Sequence, residues 1–200
     1  MIRQSKQWTL ILLAAAAGFG SAPALIEAQE RRVPDTYKAT TVNMSPADVE
    51  LKADVIRWSN DEERGAAIAA LGEADPAAAL RDLPTLGVVW RSGSAVGHSI
   101  KYAHRAPIAG GGERITFVTD RVIGSTSFEP WTTGDSASDA ALSYSVIEMT
   151  TNGTGTMSLA AEVRIDADAN MVSLDQGAHA PLLTEIRKEP PPYWASAAGQ

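Results

Sequence analysis

Residues 156–165 read Thr-Met-Ser-Leu-Ala-Ala-Glu-Val-Arg-Ile, an unbroken alternation. Met157, Leu159, Ala161, Val163 and Ile165 fall on one side; Thr156, Ser158, Ala160, Glu162 and Arg164 fall on the other. A period of two places these rows on opposite faces of a pleated strand. Turn chemistry brackets the run, with Asn152-Gly153 before it, 166–170 after it and 178–181 further on. The stretch 142–187 therefore reads as four strands joined by short turns.

Upstream, the same period recurs at 86–91, at 94–105 and at 113–122. In the second run His98, Ile100, Tyr102 and His104 share a face opposite Ser99, Lys101, Ala103 and Arg105. The glycine-rich 107–112 joins the second run to the third as a hairpin turn; it lacks the Gly-Lys-Ser/Thr ending of a phosphate loop and opens no helix. Strands joined by short turns pair antiparallel.

Ahead of these strands the signals are helical. Ser45-Pro46 with Asp48 reads as a cap, a first-turn proline and a first-turn acid, predicting a helix over 45–58. Ser59 or Asn60, each followed three residues later by Glu62 or Glu63, predicts a second helix that stops at Gly72. Asp75-Pro76 starts a short third one that ends before Pro84. The fold class expected is α+β: an antiparallel meander of about seven strands, with two or three N-terminal helices packed on it. An open sheet, a sandwich and a partial barrel remain alternatives.

The flanks are of different character. Arg3 and Lys6, the apolar 8–20, and the small residues Ala22 and Ala24 predict a signal peptide over 1–28. Its apolar core falls short of the roughly 20 residues a spanning helix needs. A polar, mobile lead-in follows at 29–44, with a short strand at 37–42. The domain is expected at 45–189, and Pro190-Pro191-Pro192 opens a tail at 190–200. The protein is then exported, to the periplasm or beyond, with no stable membrane insertion after cleavage.

The blocks 83–87 (Leu-Pro-Thr-Leu-Gly), 111–115 (Gly-Gly-Glu-Arg-Ile), 119–121 (Thr-Asp-Arg), 147–149 (Ile-Glu-Met) and 153–160 (Gly-Thr-Gly-Thr-Met-Ser-Leu-Ala) carry a resemblance. Through them the chain is similar to a group of small exported bacterial proteins of uncharacterised function. These are strand and turn motifs, so the resemblance implies a shared fold over most of the mature chain and no activity.

With 24 acidic residues against 17 basic and no basic run, the chain lacks the clustered cations that nucleic acid requires. The absence of cysteine removes disulfides, thiol catalysis and thiolate metal sites together. No cofactor is expected. Among chemistry-bearing residues, His104 and Tyr102 are about 7 Å apart along a strand and could line one pocket, whereas His98 and His104 are about 20 Å apart and could not share an ion. A hydrolase would use His104 as base, assisted by Tyr102, Asp120 or Arg105. Asp120 and Arg121 fall on opposite faces of their strand and need not pair. His179, beside Pro181, reads as a solvated turn residue.

Asp166-x-Asp168-x-Asn170 opens like a calcium loop, but Met171 and Gly177 stand where the glycine and the bidentate glutamate belong. Asp166, Asp168 and Asn170 therefore read first as a turn. The segment 124–140 breaks the β pattern, and its Phe128 and Trp131 are the candidate contacts for a ligand or partner. Of the functions weighed, a non-enzymatic exported domain binding a protein partner or small apolar ligand comes first. A small secreted hydrolase and a structural envelope protein are the alternatives.

Overall fold

The computed structural model describes residues 34–42, 48–109, 111–123, 143–158, 163–174 and 182–190. They form strands β1 (Asp35–Thr41), β2 (Glu50–Val55), β3 (Gly87–Arg91), β4 (His98–Pro107), β5 (Glu113–Thr119), β6 (Val146–Thr150), β7 (Gly155–Ser158), β8 (Val163–Asp166), β9 (Met171–Leu174) and β10 (Leu182–Lys188), with helices α1 (Asp61–Leu71) and α2 (Pro76–Arg81). Eight strands close into a barrel in the order β1-β10-β7-β6-β5-β4-β3-β2, and β8 pairs only with β9. Every pairing is antiparallel. The β-rich α+β character expected from the sequence holds, with ten strands among the described residues in place of seven.

Two expectations are overturned. The helix predicted over 45–58 is strand β2 over its described part. Leu51, Ala53 and Val55 are buried while Glu50, Lys52 and Asp54 alternate with them, so the period was two all along. Lys52 and Asp54 pair with each other on the outer face, and Lys38 of β1 reaches Glu50 and Glu189. A charged outside and an apolar inside suit a barrel strand. The second correction concerns 156–165. That run is two strands in different sheets, β7 in the barrel and β8 in the hairpin, with 159–162 outside the described residues. Alternation says that one face is buried, and leaves open against what.

The strand foreseen at 37–42 is β1, which joins β2 to β10 and completes the ring. Asn60 caps α1: its side chain accepts from the Glu63 amide while the Glu63 side chain accepts from the Asn60 amide. Asp75 caps α2 with Pro76 at its start. Both helices lie outside the barrel. Ala67, Ile68 and Leu71 of α1 and Leu80 of α2 pack with Tyr102, Val118, Val146, Val172 and Leu174 in a second apolar cluster, distinct from the one within the barrel.

Barrel closure forces strands close together at particular points. A Cβ on Gly87 would lie 2.3 Å from the Asp54 carbonyl oxygen and 3.0 Å from the Val55 Cα, so β3 approaches β2 only because residue 87 has no side chain. Gly65 in α1 is different: the nearest atom to an added Cβ is Asn170 Oδ1 at 3.7 Å, an ordinary contact. Gly87→Ala should destabilise the protein by about 1–3 kcal/mol through forced backbone displacement. Gly65→Ala should stabilise it by roughly 0.4–1 kcal/mol. Urea unfolding of the two variants checks both signs; a neutral Gly87→Ala would mean that β2 and β3 separate without penalty.

Candidate functional site

The two ends of the barrel differ in chemistry. At the end where β1 starts and β2 finishes, Trp58 lies across the interior. Its ring stacks on Phe117 at 6.2 Å and meets Tyr37 edge-on at 6.3 Å. The Arg105 guanidinium covers Trp58 at 5.0 Å. The indole Nε1 donates to Asp35 at 3.2 Å, and Lys188 pairs with the same carboxylate at 2.6 Å. Burial alone would raise the pKa of Asp35, but the bonds from Lys188 and Trp58 outweigh it and hold the carboxyl below its ordinary value. Burial, with Asp35 and Glu113 nearby, pushes the Tyr37 phenol up to about 12.

At the opposite end the inward rows finish in polar residues. Tyr37 and Ala39 lead to Thr41, Val89 leads to Arg91, and Ile100 leads back to His98; all three polar residues are buried. We call this end the mouth. His98 has no exposed surface, and neither ring nitrogen has a hydrogen-bond partner among the described residues. Burial is the main cause of its lowered pKa; Arg121 lowers it further and Asp120 opposes.

Just past β5 the chain is pinned. Thr119 Oγ1 donates to the Arg121 carbonyl at 2.8 Å and accepts from the Ser145 amide at 3.1 Å. The Ile123 amide donates to Ser145 Oγ at 3.0 Å. These bonds tie together the two points where the chain leaves for 124–142 and returns.

The sequence candidates separate in space. A register shift between Ile100 and Tyr102 inserts Lys101 as an extra residue in β4. The four residues expected on one face therefore do not share it: Ile100 and Ala103 pack inside the barrel, Tyr102 outside. Tyr102 and His104 remain neighbours, with ring centroids 6.1 Å apart. The Tyr102 hydroxyl is engaged, donating to the Asn170 carbonyl and accepting from the Val172 amide, each at 3.3 Å. His104 is half-buried, and its pKa is lowered by burial and then by Arg64 of α1.

Arg105 covers Trp58 at the closed end, and Asp120 lies beside Ser99 toward the mouth, its amide donating to the Ser99 carbonyl. The geometry thus groups Tyr102 with His104 and distributes Arg105 and Asp120 to the two ends. Asp120 and Arg121, placed by the sequence at a strand end on opposite faces where they need not pair, do form an ion pair at 3.4 Å; β5 ends at Thr119, and strand alternation ends with it.

Asp166 accepts from the Ala169 amide within a turn, and Asn170 takes a positive φ of 50°. Among the described residues no group of three or more His, Cys, Asp or Glu could hold a metal ion. Phe128, Trp131 and His179 lie outside the described residues.

No family model, curated protein or solved structure matches the chain. The site's own geometry must carry the functional reading. Within the barrel, the void bounded by Tyr37, Ala39, Leu51, Ala53, Val89, Phe117, Ile147 and Met149 has room for about one water. Sequence reading missed Trp58 as a plug, because 45–58 read as a helix, and Arg91 as an inward residue, because arginine at a strand end reads as solvated.

Asp35 makes the closed end sensitive to acid. Its folded pKa lies below the unfolded value of 3.8, so its contribution is present above that pH and is lost as pH falls through the folded value. Asp35→Asn should therefore unfold at lower urea than wild type at pH 7, with the gap narrowing at about pH 3. Trp58→Ala should cost more, on the order of 2–4 kcal/mol. Equal losses for Asp35→Asn at both pH values would show that its carboxylate is not what anchors Trp58.

Proposed function

We propose that this chain is an exported, non-enzymatic binding domain that meets its ligand or protein partner at the mouth of the barrel. The observation that carries this reading is the asymmetry of the two ends. One is closed by the Tyr37–Trp58–Phe117 cluster; the other holds buried Thr41, Arg91 and His98. Of these, the His98 imidazole has no hydrogen-bond partner among the described residues, and a buried polar group left so is costly and concentrates where function requires it.

Three exposed apolar side chains, Val42, Val96 and Leu182, surround that end; the Val42 amide bonds the Leu182 carbonyl at 3.1 Å. Phe128 and Trp131 belong to the segment that departs from the same rim in sequence, and aromatic residues of that kind are common contact anchors. The void among Tyr37, Phe117 and Met149 has room for about one water, which favours a ligand or partner on the rim over one filling the barrel there. The signal-like residues 1–28 support export to the periplasm or beyond. A hydrolase built on His104 draws less support, since the Tyr102 hydroxyl is engaged and Arg105 belongs to the closed end.

Site-specific photo-crosslinking in the native host tests this. A photoreactive residue at Trp131 should give discrete adducts by mass, whereas one at exposed Thr151, in the turn between β6 and β7, should give none above background. Equal labelling from both positions, or none from 131, overturns the reading.

A further inference from the structure

The mouth contains a group whose protonation the surrounding structure does not accommodate. His98 lies wholly inside, next to Val89 in register, and both its nitrogens are unbonded among the described residues. The charged groups facing it come from two neighbouring elements. Arg91 lies on β3, one inward position beyond Val89. Asp120 and Arg121 follow β5, where Ile100 pairs with Thr119 and thus brings residues 120 and 121 alongside 99 and 98. From β6 the nearest contribution is the uncharged Ser145, buried and bonded to Thr119 and Ile123.

Of the charges that act on His98, Arg121 disfavours a proton and Asp120 favours one, and the imidazole has no exposed surface. One carboxylate is at hand, Asp120, itself buried; Arg121 holds it loosely, with Nε 3.4 Å from Oδ1 and Nη2 donating to Oδ2 at 3.5 Å. Asp120 is also one residue from the Thr119–Arg121–Ser145 knot that pins the rim.

We infer that His98 is an acid-sensitive latch of the mouth: when its imidazole takes up a proton, Asp120 turns from Arg121 to the imidazolium, and the pinned base formed by 119–123 and Ser145 loosens. The proton comes from solvent and no covalent bond changes. Binding at the mouth is then weaker in acid than at neutral pH; that consequence rests on the function proposed above, and the latch itself does not. The direction agrees with the lowered pKa of His98, since the neutral form is the one the folded mouth favours. His104 also has a lowered pKa, but it faces Arg64 of α1 outside the barrel and does not touch the knot.

Amide hydrogen exchange of the full mature chain, corrected for intrinsic rates, reads the latch at pH 7.5 and 5.5. In wild type, peptides covering 119–123 and 143–147 should lose protection in acid by up to about tenfold, the most that one histidine of ordinary open-state pKa can supply over this interval. Peptides of α1 should not change. His98→Gln should make the mouth peptides insensitive to pH, and His104→Gln should leave the wild-type response intact. Should His98→Gln fold poorly, Asp120→Asn provides the second route: it removes the carboxylate that answers the imidazolium and should alter the acid response while leaving His98 in place. An unchanged mouth in wild type, or a response that survives both substitutions at 98 and 120, overturns the latch. Crosslinking from position 131 at the same two pH values separates the readings: an exchange response with no adduct at either pH sinks the binding function and leaves the latch standing.

Discussion

The single extra residue in β4 determines where most of the molecule goes. Without the bulge at Lys101, regular alternation would place Ile100 and Tyr102 on the same side. With it, Tyr102 turns outward and joins the hairpin through the Asn170 carbonyl and the Val172 amide, while Ala103 turns inward. Ala103 exchanges backbone bonds with Ser59, whose Oγ accepts the Ala103 amide at 2.9 Å and whose own amide donates back at 2.9 Å. That anchor brings the chain from β2 across the barrel end, which is how Trp58 comes to lie over Phe117. Lys101 itself is buried and donates to the carbonyls of Arg81, the last residue of α2, and of Leu83 just past it, and to Thr85 Oγ1. Cationic donors suit the carbonyl end of a helix. One bulge therefore fixes the plug, the second helix and the outer hairpin together.

A second irregularity sits across the ring. Between Lys38 and Thr40 the register of β1 with β10 shifts, and Glu185 adopts a φ of 53°. In the strand order β10 and β4 lie on opposite sides of the barrel. Bulges bend and twist a strand, and two opposed bends help a small sheet to close on itself. The closed ring separates an aromatic end, where Trp58 and Lys188 both reach Asp35, from a mouth where neither nitrogen of His98 has a hydrogen-bond partner among the described residues. The acid sensitivity inferred for the mouth follows from that separation.

Several elements were legible because local chemistry settles them. The Asn60–Glu63 capping box, the Asp75-Pro76 start and the period of β5 each depend on residues within a few positions of one another. β2 was misread because Ser45-Pro46 and Asp48 resemble a helix start while Leu51, Ala53 and Val55 satisfy a period of two that two turns of helix can imitate. Asp48 in fact has a φ of 57°, outside the helical region. The face of His104 and Tyr102 was misjudged for a different reason: a bulge leaves no mark in residue pattern when, as here, both faces of the strand are buried against something. The mouth was the least legible. Arg91, His98 and Asp120 come from the consecutive strands β3 and β4 and the end of β5, and which of them face inward there depends on strand register and on where β5 stops.

By itself, the sequence determined what depends on short range. It specified an antiparallel, β-rich chain with two capped helices, an acidic cysteine-free composition, and turns at the positions where glycine, asparagine and aspartate allow them. Tertiary structure alone decided that the strands close into a ring, that the alternation of 156–165 is divided between two sheets, and which residues face one another across the interior. The physical reason is that alternation encodes burial without naming the partner, while closure depends on long-range register, on strand approach at residues such as Gly87, and on the bulge at Lys101.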